Sequence, residues 1–375
     1  MNVNYIPIGS TAQQDLPIST TDISAHLLAD WLPNLPLATG ASFFGWPSQI
    51  LFQTHAGGTA YLTIHRWLGQ SERQWKGVIS WMLGVAGGRR VLSELGYRWV
   101  APASAFYPES VGPISVSWPN NFPRANLSVT EDTGSSSRLR PDYIALKPVN
   151  GGVSYQLAAA EAKGTSKAIL SPSNVTCPAS WYQQVRNIRM TLGGVPLYVP
   201  RHIVIATRVN PNAVQDTTRQ LAIRAWNSNE NDQRRELHSG DGLAIVVAHL
   251  FGFYRNIGFV EIANELAVAL TRLSDSRKSV QQELGFDSEG TDEPVLEFDS
   301  VAELSLASGV SAVIRLSKEL IALTKALINA KNKDEAAEAI ASGDRELDVW
   351  NDQPLPASES VSRLSFGVEI EASSI

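Results

Sequence analysis

Pro141-Asp142 is followed, after 18 intervening residues, by Glu161-Ala162-Lys163. On an extended strand Glu161 and Lys163 point to one face and Ala162 to the other. If the segment carrying Asp142 pairs with it as a hairpin, Asp142 meets them at one end of the sheet. The flanking residues are Ala, Ile, Leu and Tyr, a setting in which an uncompensated charge is costly. A hard cation suits two carboxylates so placed. Mg²⁺ takes near-octahedral oxygen ligands and keeps several waters, so Asp142, Glu161 and the Ala162 carbonyl suffice as protein ligands. Such an ion acidifies a bound water and polarises a phosphoryl oxygen. Lys163 would orient that water or neutralise charge growing in the transition state. Hydrolysis of a phosphodiester is the chemistry these residue types fit.

The elements that must position them read as follows. Arg140–Leu146 (RPDYIAL) is a strand, Pro148-Val149-Asn150-Gly151-Gly152 a turn, and Val153–Lys163 (VSYQLAAAEAK) a second, longer strand. Pro178 opens a helix with Trp181, Val185, Ile188 and Leu192 on its apolar face. His202–Thr207 (HIVIAT) is a continuously apolar run expected as a buried strand. Upstream, Ser71 to Leu95 has helical spacing through Trp81, Val85, Leu92 and Leu95, with Gly96 as C-cap. Gly87-Gly88 is expected to divide that helix. An earlier short helix starts at a Thr21-Asp22 cap, carries Ile23, Leu27, Leu28 and Trp31, and ends at Pro33 and Pro36. Residues 41–67 suggest strands broken at Gly57-Gly58, Trp99 to Trp118 suggests extended segments, and Glu131 to Arg140 a loop. Further on, Glu261–Leu273 is expected as a helix after the apolar segment Leu243–Phe253. Val310, Val313, Leu316, Leu320, Leu323 and Leu327 predict one amphipathic helix.

The Pro141, Asp142, Glu161 and Lys163 pattern resembles the PD-(D/E)xK nuclease superfamily, the restriction-endonuclease-like proteins. The resemblance spans about residues 75–210. It implies an α/β fold, a restriction-endonuclease-like mixed sheet core of order αβββαβ, here with an N-terminal β-rich extension and a C-terminal helical appendage. It also implies two further site residues: Glu94, in place of the family's first-helix acid, and Gln184, on the helix after the motif strands. Gln183 points more nearly outward. Ile188 stands where exonuclease-like members place a Tyr, a departure that speaks against an exonuclease. The activity implied is an endonuclease acting on DNA, with RNA left open, and using Mg²⁺ or Mn²⁺. Restriction or anti-phage defence is the setting such stand-alone members suggest.

Composition constrains this reading. The chain of 375 residues is 43% hydrophobic and 18% charged, ordinary for a globular protein and long enough for two domains at roughly 150 residues each, or for one elaborated domain. The expected division is a 1–70 N-terminal extension, a 71–280 nuclease core, a 281–300 acidic linker and a 301–375 C-terminal helical region and tail. A single cysteine, Cys177, excludes an internal disulfide framework and fits a reducing compartment. With no secretory signal at Met1–Tyr5 and no apolar run long enough for a bilayer, the expectation is a cytoplasmic protein without membrane contact. The net charge of −6 runs against a nucleic-acid substrate. Much of it, however, lies between Glu283 and Asp299, and the remainder is close to neutral. Arg138, Arg140, Lys147 and Lys167 flank the motif and could meet phosphates. His202 and His249 are expected as core histidines, and Trp181 as core. The competing readings are a catalytically silent or partner-activated nuclease-like scaffold, a structural virion-associated protein, and an ordinary surface hairpin bearing a Glu and a Lys. Homo-oligomerisation or a protein partner stays open.

Overall fold

A computed structural model describes residues 2–30, 52–53, 61–65, 67–107, 127–130, 140–165, 176–199, 201–210, 220–227, 236–274, 301–305, 310–354 and 361–374. Along the chain, β1 (Asn2–Ile6) and β2 (Gln14–Pro17) precede α1 (Thr20–Ala29). A two-residue pair, β3 (Phe52–Gln53) and β4 (Thr63–Ile64), and one turn of helix, α2 (Trp67–Gln70), follow. The long α3 (Arg73–Glu94) leads to β5 (Trp99–Pro102), β6 (Leu127–Thr130), β7 (Tyr143–Val149) and β8 (Ser154–Thr165). Next come α4 (Ala179–Arg186), β9 (Arg189–Leu192), β10 (Val195–Leu197), β11 (Arg201–Val209), β12 (Leu221–Asn227) and β13 (Leu237–His238). Helices α5 (Ser239–Asn256) and α6 (Val260–Ser274) close that stretch. The C-terminal part holds β14 (Val301–Ser305), β15 (Val310–Leu316), α7 (Lys318–Asn329), α8 (Lys333–Asn351), β16 (Val361–Leu364) and β17 (Val368–Ser374).

The architecture is mixed α/β. Its centre is an eight-stranded mixed sheet in the order β2-β1-β12-β11-β8-β7-β5, with β13 also paired to β8. β8 runs parallel to β11 and antiparallel to β7, which makes it the middle of the sheet. Smaller antiparallel sheets are β10-β9-β6, β14-β15-β17-β16 and the β3-β4 pair.

Side-chain alternation on β8 sends Ala158, Ala160 and Ala162 to the face packed by α3, and Leu157 and Ala159 to the other. The α3 face is built for close approach. A Cβ on Gly84 would stand 2.5 Å from the Gly164 backbone nitrogen, and one on Gly88 2.7 Å from the Ala162 Cβ. Gly87-Gly88 therefore does not divide the helix, contrary to expectation: α3 is one helix of 22 residues. Each glycine weakens a helix by about 1 kcal/mol. Here the missing side chains let the helix axis descend onto the sheet, where Ile79, Met82, Leu83, Val91 and Leu92 are buried. Trp81, expected on the buried stripe, faces outward and is 49% exposed.

Three other expectations are corrected. Val310–Leu327 is not one helix: Val310–Leu316 is strand β15, and α7 begins after Ser317, whose Oγ accepts from Leu320 N at 3.1 Å. Alternating burial of Ala312, Ile314 and Leu316 against the sheet decides the first half. The C-terminal region is thus not purely helical, since it contributes a four-stranded sheet. The helix opened by Pro178 stops at Arg186, so Leu192 belongs to β9. The cap of α1 is Ser19, which with Asp22 forms a capping box. Trp31, Pro33, Pro36, Gly57-Gly58, the 108–118 and 131–139 segments, Arg138, Lys167 and the acidic 281–300 stretch lie outside the described residues.

The C-terminal elements share the large hydrophobic cluster of the central sheet, through Leu320, Leu323, Ile340, Leu347 and Ile370. A buried ion pair joins them to it. Arg98 Nη1 meets Asp344 Oδ1 at 2.5 Å, and the Trp99 indole donates to the same oxygen at 3.1 Å. Tyr155 donates its hydroxyl to the other carboxylate oxygen.

Candidate functional site

The sheet brings the motif residues together at one end of β7 and β8. Tyr143 pairs with Ala160, the last pair of the β7–β8 ladder, so Asp142 arrives beside Glu161. The Asp142 carboxylate accepts from Ala162 N at 2.9 Å, and its own carbonyl accepts from Ala103 N at 2.9 Å. In a strand a residue's N–H and C=O leave on the same side. Since the Ala162 N–H turns to Asp142, its carbonyl turns that way too. The residue next in register, Pro141, has no N–H to offer it. The strand pairing therefore leaves the Ala162 carbonyl without a donor from β7.

Glu161 lies on the face opposite α3 and is 1% exposed. Lys163 Nζ forms an ion pair with Glu161 Oε1, yet among the described residues neither Glu161 oxygen receives a geometrically sound hydrogen bond. Lys163 also donates to Gln184 Oε1 at 2.9 Å, and Gln184 Nε2 donates to the Arg140 carbonyl at 2.7 Å. Gln184, projecting from α4, thus ties the amine of β8 to the entry of β7. The Arg140 guanidinium rests on the Tyr107 ring, 4.1 Å from its centroid.

Both carboxyls are pushed toward the neutral form. Burial is the largest cause for Glu161, followed by the nearby Asp142 charge, with Lys163 opposing. Asp142 keeps an opening to solvent, but protein packs densely around it and desolvation again dominates, opposed by the Ala162 N–H and by Lys163. A proton shared between the two acids relieves their repulsion, and a divalent cation would relieve it more fully. The buried, donor-poor oxygens of Glu161 and the open side of Asp142 fit such an ion. Among the described residues, no group of three or more His, Cys, Asp and Glu side chains gathers anywhere. A metal here would rely on two acids, a backbone carbonyl and water.

Glu94 is not part of this assembly. It sits at the far end of α3, on the other side of the sheet from Glu161, 47% exposed and paired with Arg90 at 2.9 Å. The acid that α3 does reach near the site is Asp30, whose charge raises the Asp142 carboxyl. Asp30 is held by Arg89 at 3.0 Å and by the Tyr143 hydroxyl at 2.9 Å. Its sequence signal was nil, because an Asp ending a short helix is ordinary. Also unanticipated are Arg208 and Arg224, charged residues placed inside otherwise apolar strands. That interruption of the runs RHIVIATRV and LAIRAWN was legible but carried no partner.

The remaining candidates are structural. His249 Nδ1 lies 2.9 Å from the Val100 carbonyl, and burial lowers its pKa to about 3. His202 is buried on β11. Trp181 packs edge-on to Trp226, with ring centroids 6.3 Å apart. Lys147 donates to the Leu95 carbonyl at the opposite end of β7. Burial pushes the Cys177 thiol up to about 12, which removes it from nucleophilic chemistry.

The class that fold and site define is a mixed α/β protein with a paired-carboxylate, lysine and glutamine cluster at one sheet end. No protein-family model, curated protein or solved structure matches this chain. Among the described residues, no helix is long and apolar enough to cross a membrane.

Proposed function

We propose that this protein is a metal-dependent nuclease of the restriction-endonuclease-like type, hydrolysing DNA phosphodiesters with Mg²⁺ or Mn²⁺. One observation carries the reading: Asp142, Glu161, Lys163 and Gln184 meet at one sheet end, with the Glu161 oxygens buried and short of donors. Leaving aside β6, β9 and β10, which form a separate small sheet, the order α3, β5, β7, β8, α4, β11, with β8 parallel to β11, supports it, because it follows the αβββαβ succession of that family.

Asp142, Glu161 and the Ala162 carbonyl would hold the ion. The metal supplies an acidified water and charge neutralisation at the phosphate. Lys163, steadied by Gln184, places a positive charge where the oxyanion develops. Burial of Glu161 keeps bulk water off its own carboxylate, while the open side of Asp142 would admit the water that the ion needs.

The test is incubation of purified protein with plasmid, linear duplex and single-stranded DNA, and with RNA, in Mg²⁺ or Mn²⁺. Cleavage that disappears in EDTA and in Asp142→Ala and Lys163→Ala supports the reading. Intact substrates throughout, or cleavage indifferent to both substitutions, overturn it and leave a scaffold protein.

A further inference from the structure

The sheet face that carries Glu161 and Lys163 continues across two more strands, and its side chains follow from register. Lys163 pairs with Ala206, and Ala206 with Arg224. One step along, Thr165 pairs with Arg208, and Arg208 with Ala222. Val204 and Ala206 belong to the cluster on the Glu161 face, as does Trp226, while Ile203, Ile205, Ile223 and Ala225 belong to the opposite one. Alternation therefore puts Lys163, Arg208 and Arg224 on the same face, around a floor made by the Ala206 methyl group. Strand spacing sets the Lys163 and Arg208 Cα atoms roughly 8 Å apart.

Three cations around one alanine repel each other on a half-buried surface, a cost that an anion held among them would offset. Arg224 is 1% exposed, with its guanidinium over the Trp226 ring, 5.3 Å from the centroid. Arg208 is only partly covered, and its Nε is buried with no hydrogen-bond partner among the described residues. A guanidinium with an unsatisfied donor beside two further cations is suited to an anion with several acceptor oxygens.

We propose that Lys163, Arg208 and Arg224 form an anion subsite next to the paired carboxylates, which holds the phosphate adjacent to the cleaved one as a nucleic-acid strand crosses β8, β11 and β12. This deepens the nuclease reading and rests on it. Arg208 contacts the phosphate directly, Arg224 sits deeper and adds field, and Lys163 is shared between subsite and scissile centre. The subsite also explains how a chain of net charge −6 takes a polyanion: the positive charge is concentrated where the strand lies.

The experiment is a salt titration of binding, in EDTA, of fluorescein-labelled single-stranded and duplex DNA, with wild type, Arg208→Gln, Arg208→Lys and Ala222→Glu. Ala222→Glu leaves Arg208 in place but sets a carboxylate beside it in register. Loss of one phosphate contact reduces the slope of log affinity against log salt by about one. That reduction is expected in Arg208→Gln and Ala222→Glu but not in Arg208→Lys. In cleavage assays the same two variants should raise KM roughly tenfold with kcat within about threefold of wild type. Unchanged slope and KM in both, with a wild type that cleaves, overturn the subsite and spare the nuclease. A wild type that neither binds nor cleaves overturns both. Thermal melting of each variant separates misfolding from lost contact, and Ala222→Glu still decides the matter if Arg208→Gln does not fold.

Discussion

Asp344 and Glu161 are both buried carboxylates that desolvation pushes toward the neutral form, and the protein furnishes them in opposite ways. Asp344 receives Arg98, the Trp99 indole and the Tyr155 hydroxyl, so its lone pairs are spoken for by groups of the same chain. It bolts α8 to β5 and β8. Glu161 meets Lys163 and a second carboxylate, and neither of its oxygens accepts a sound hydrogen bond among the described residues. A buried polar group left short of partners costs stability. Burial alone therefore does not distinguish the two acids; the partners supplied to their lone pairs do. The Asp344 carboxylate is furnished by its own chain, and the Glu161 carboxylate is the one at which the proposed ion would complete the set.

The comparison can be broken first at the chemical site. Asp142→Ala and Lys163→Ala should each lower metal-dependent DNA cleavage by about a thousandfold or more, with melting temperatures close to wild type. A variant that cleaves normally would place Glu161 in the same structural category as Asp344.

Asp344→Ala should do the reverse. It strands the Arg98 guanidinium, 5% exposed, and removal of one member of a buried pair costs about 3–5 kcal/mol. Arg98 retains the half-exposed Asp348, so urea unfolding should show a loss near the lower end of that range. Cleavage per folded molecule should be unchanged.

A sharper distinction lies in pH. Both site carboxyls are raised above their ordinary values of 3.8 and 4.5, so at neutral pH the pair tends to hold a proton that a metal must displace. Mg²⁺ affinity, followed by calorimetry, should climb as pH rises through the interval above those values, by up to about tenfold per pH unit. Protons should be released in step. An affinity flat from pH 6 to 9 would mean that the carboxyls are already ionised in the folded protein.

The smallest effect concerns stability. A folded-state carboxyl raised above its unfolded value favours folding less and less as pH rises past the unfolded value, because only the folded state resists ionisation. Glu161→Gln removes that penalty. It should be roughly neutral to stability at pH 5 and stabilising by up to about 1 kcal/mol at pH 9, opposite in sign to Asp344→Ala. A Gln that destabilises at high pH would show that the Lys163 pairing outweighs desolvation.

Much of the site was legible in order and spacing. Asp142, Glu161 and Lys163 could be assigned to one sheet end because a hairpin of known register and period-2 alternation leaves few alternatives. Gln184 came from the family resemblance, which places a Gln on the helix after the motif strands. Glu94 failed because helical spacing says which residues share a side but not which layer a helix joins. The α3 glycines, which read as a weakness, instead mark where helix and sheet touch. Val310–Leu316 was misassigned because an apolar run spaced at three and four residues also satisfies alternation over a short strand. Arg208 and Arg224 were visible as charges in apolar strands, but their relation to Lys163 depends on a parallel pairing across a crossover that contains a helix.

Local covalent order alone determined the motif hairpin, the lack of an N–H at Pro141, the absence of a disulfide framework and the apolar character of the central strands. These depend on residue identity and on neighbours a few positions away. Only the tertiary structure decided that Glu161 is sealed with its oxygens underused, that Asp344 is sealed with its oxygens engaged, and that two distant arginines share a sheet face with Lys163. Desolvation and long-range register are properties of the packed chain, set by what lies across the sheet and not by what lies along the sequence.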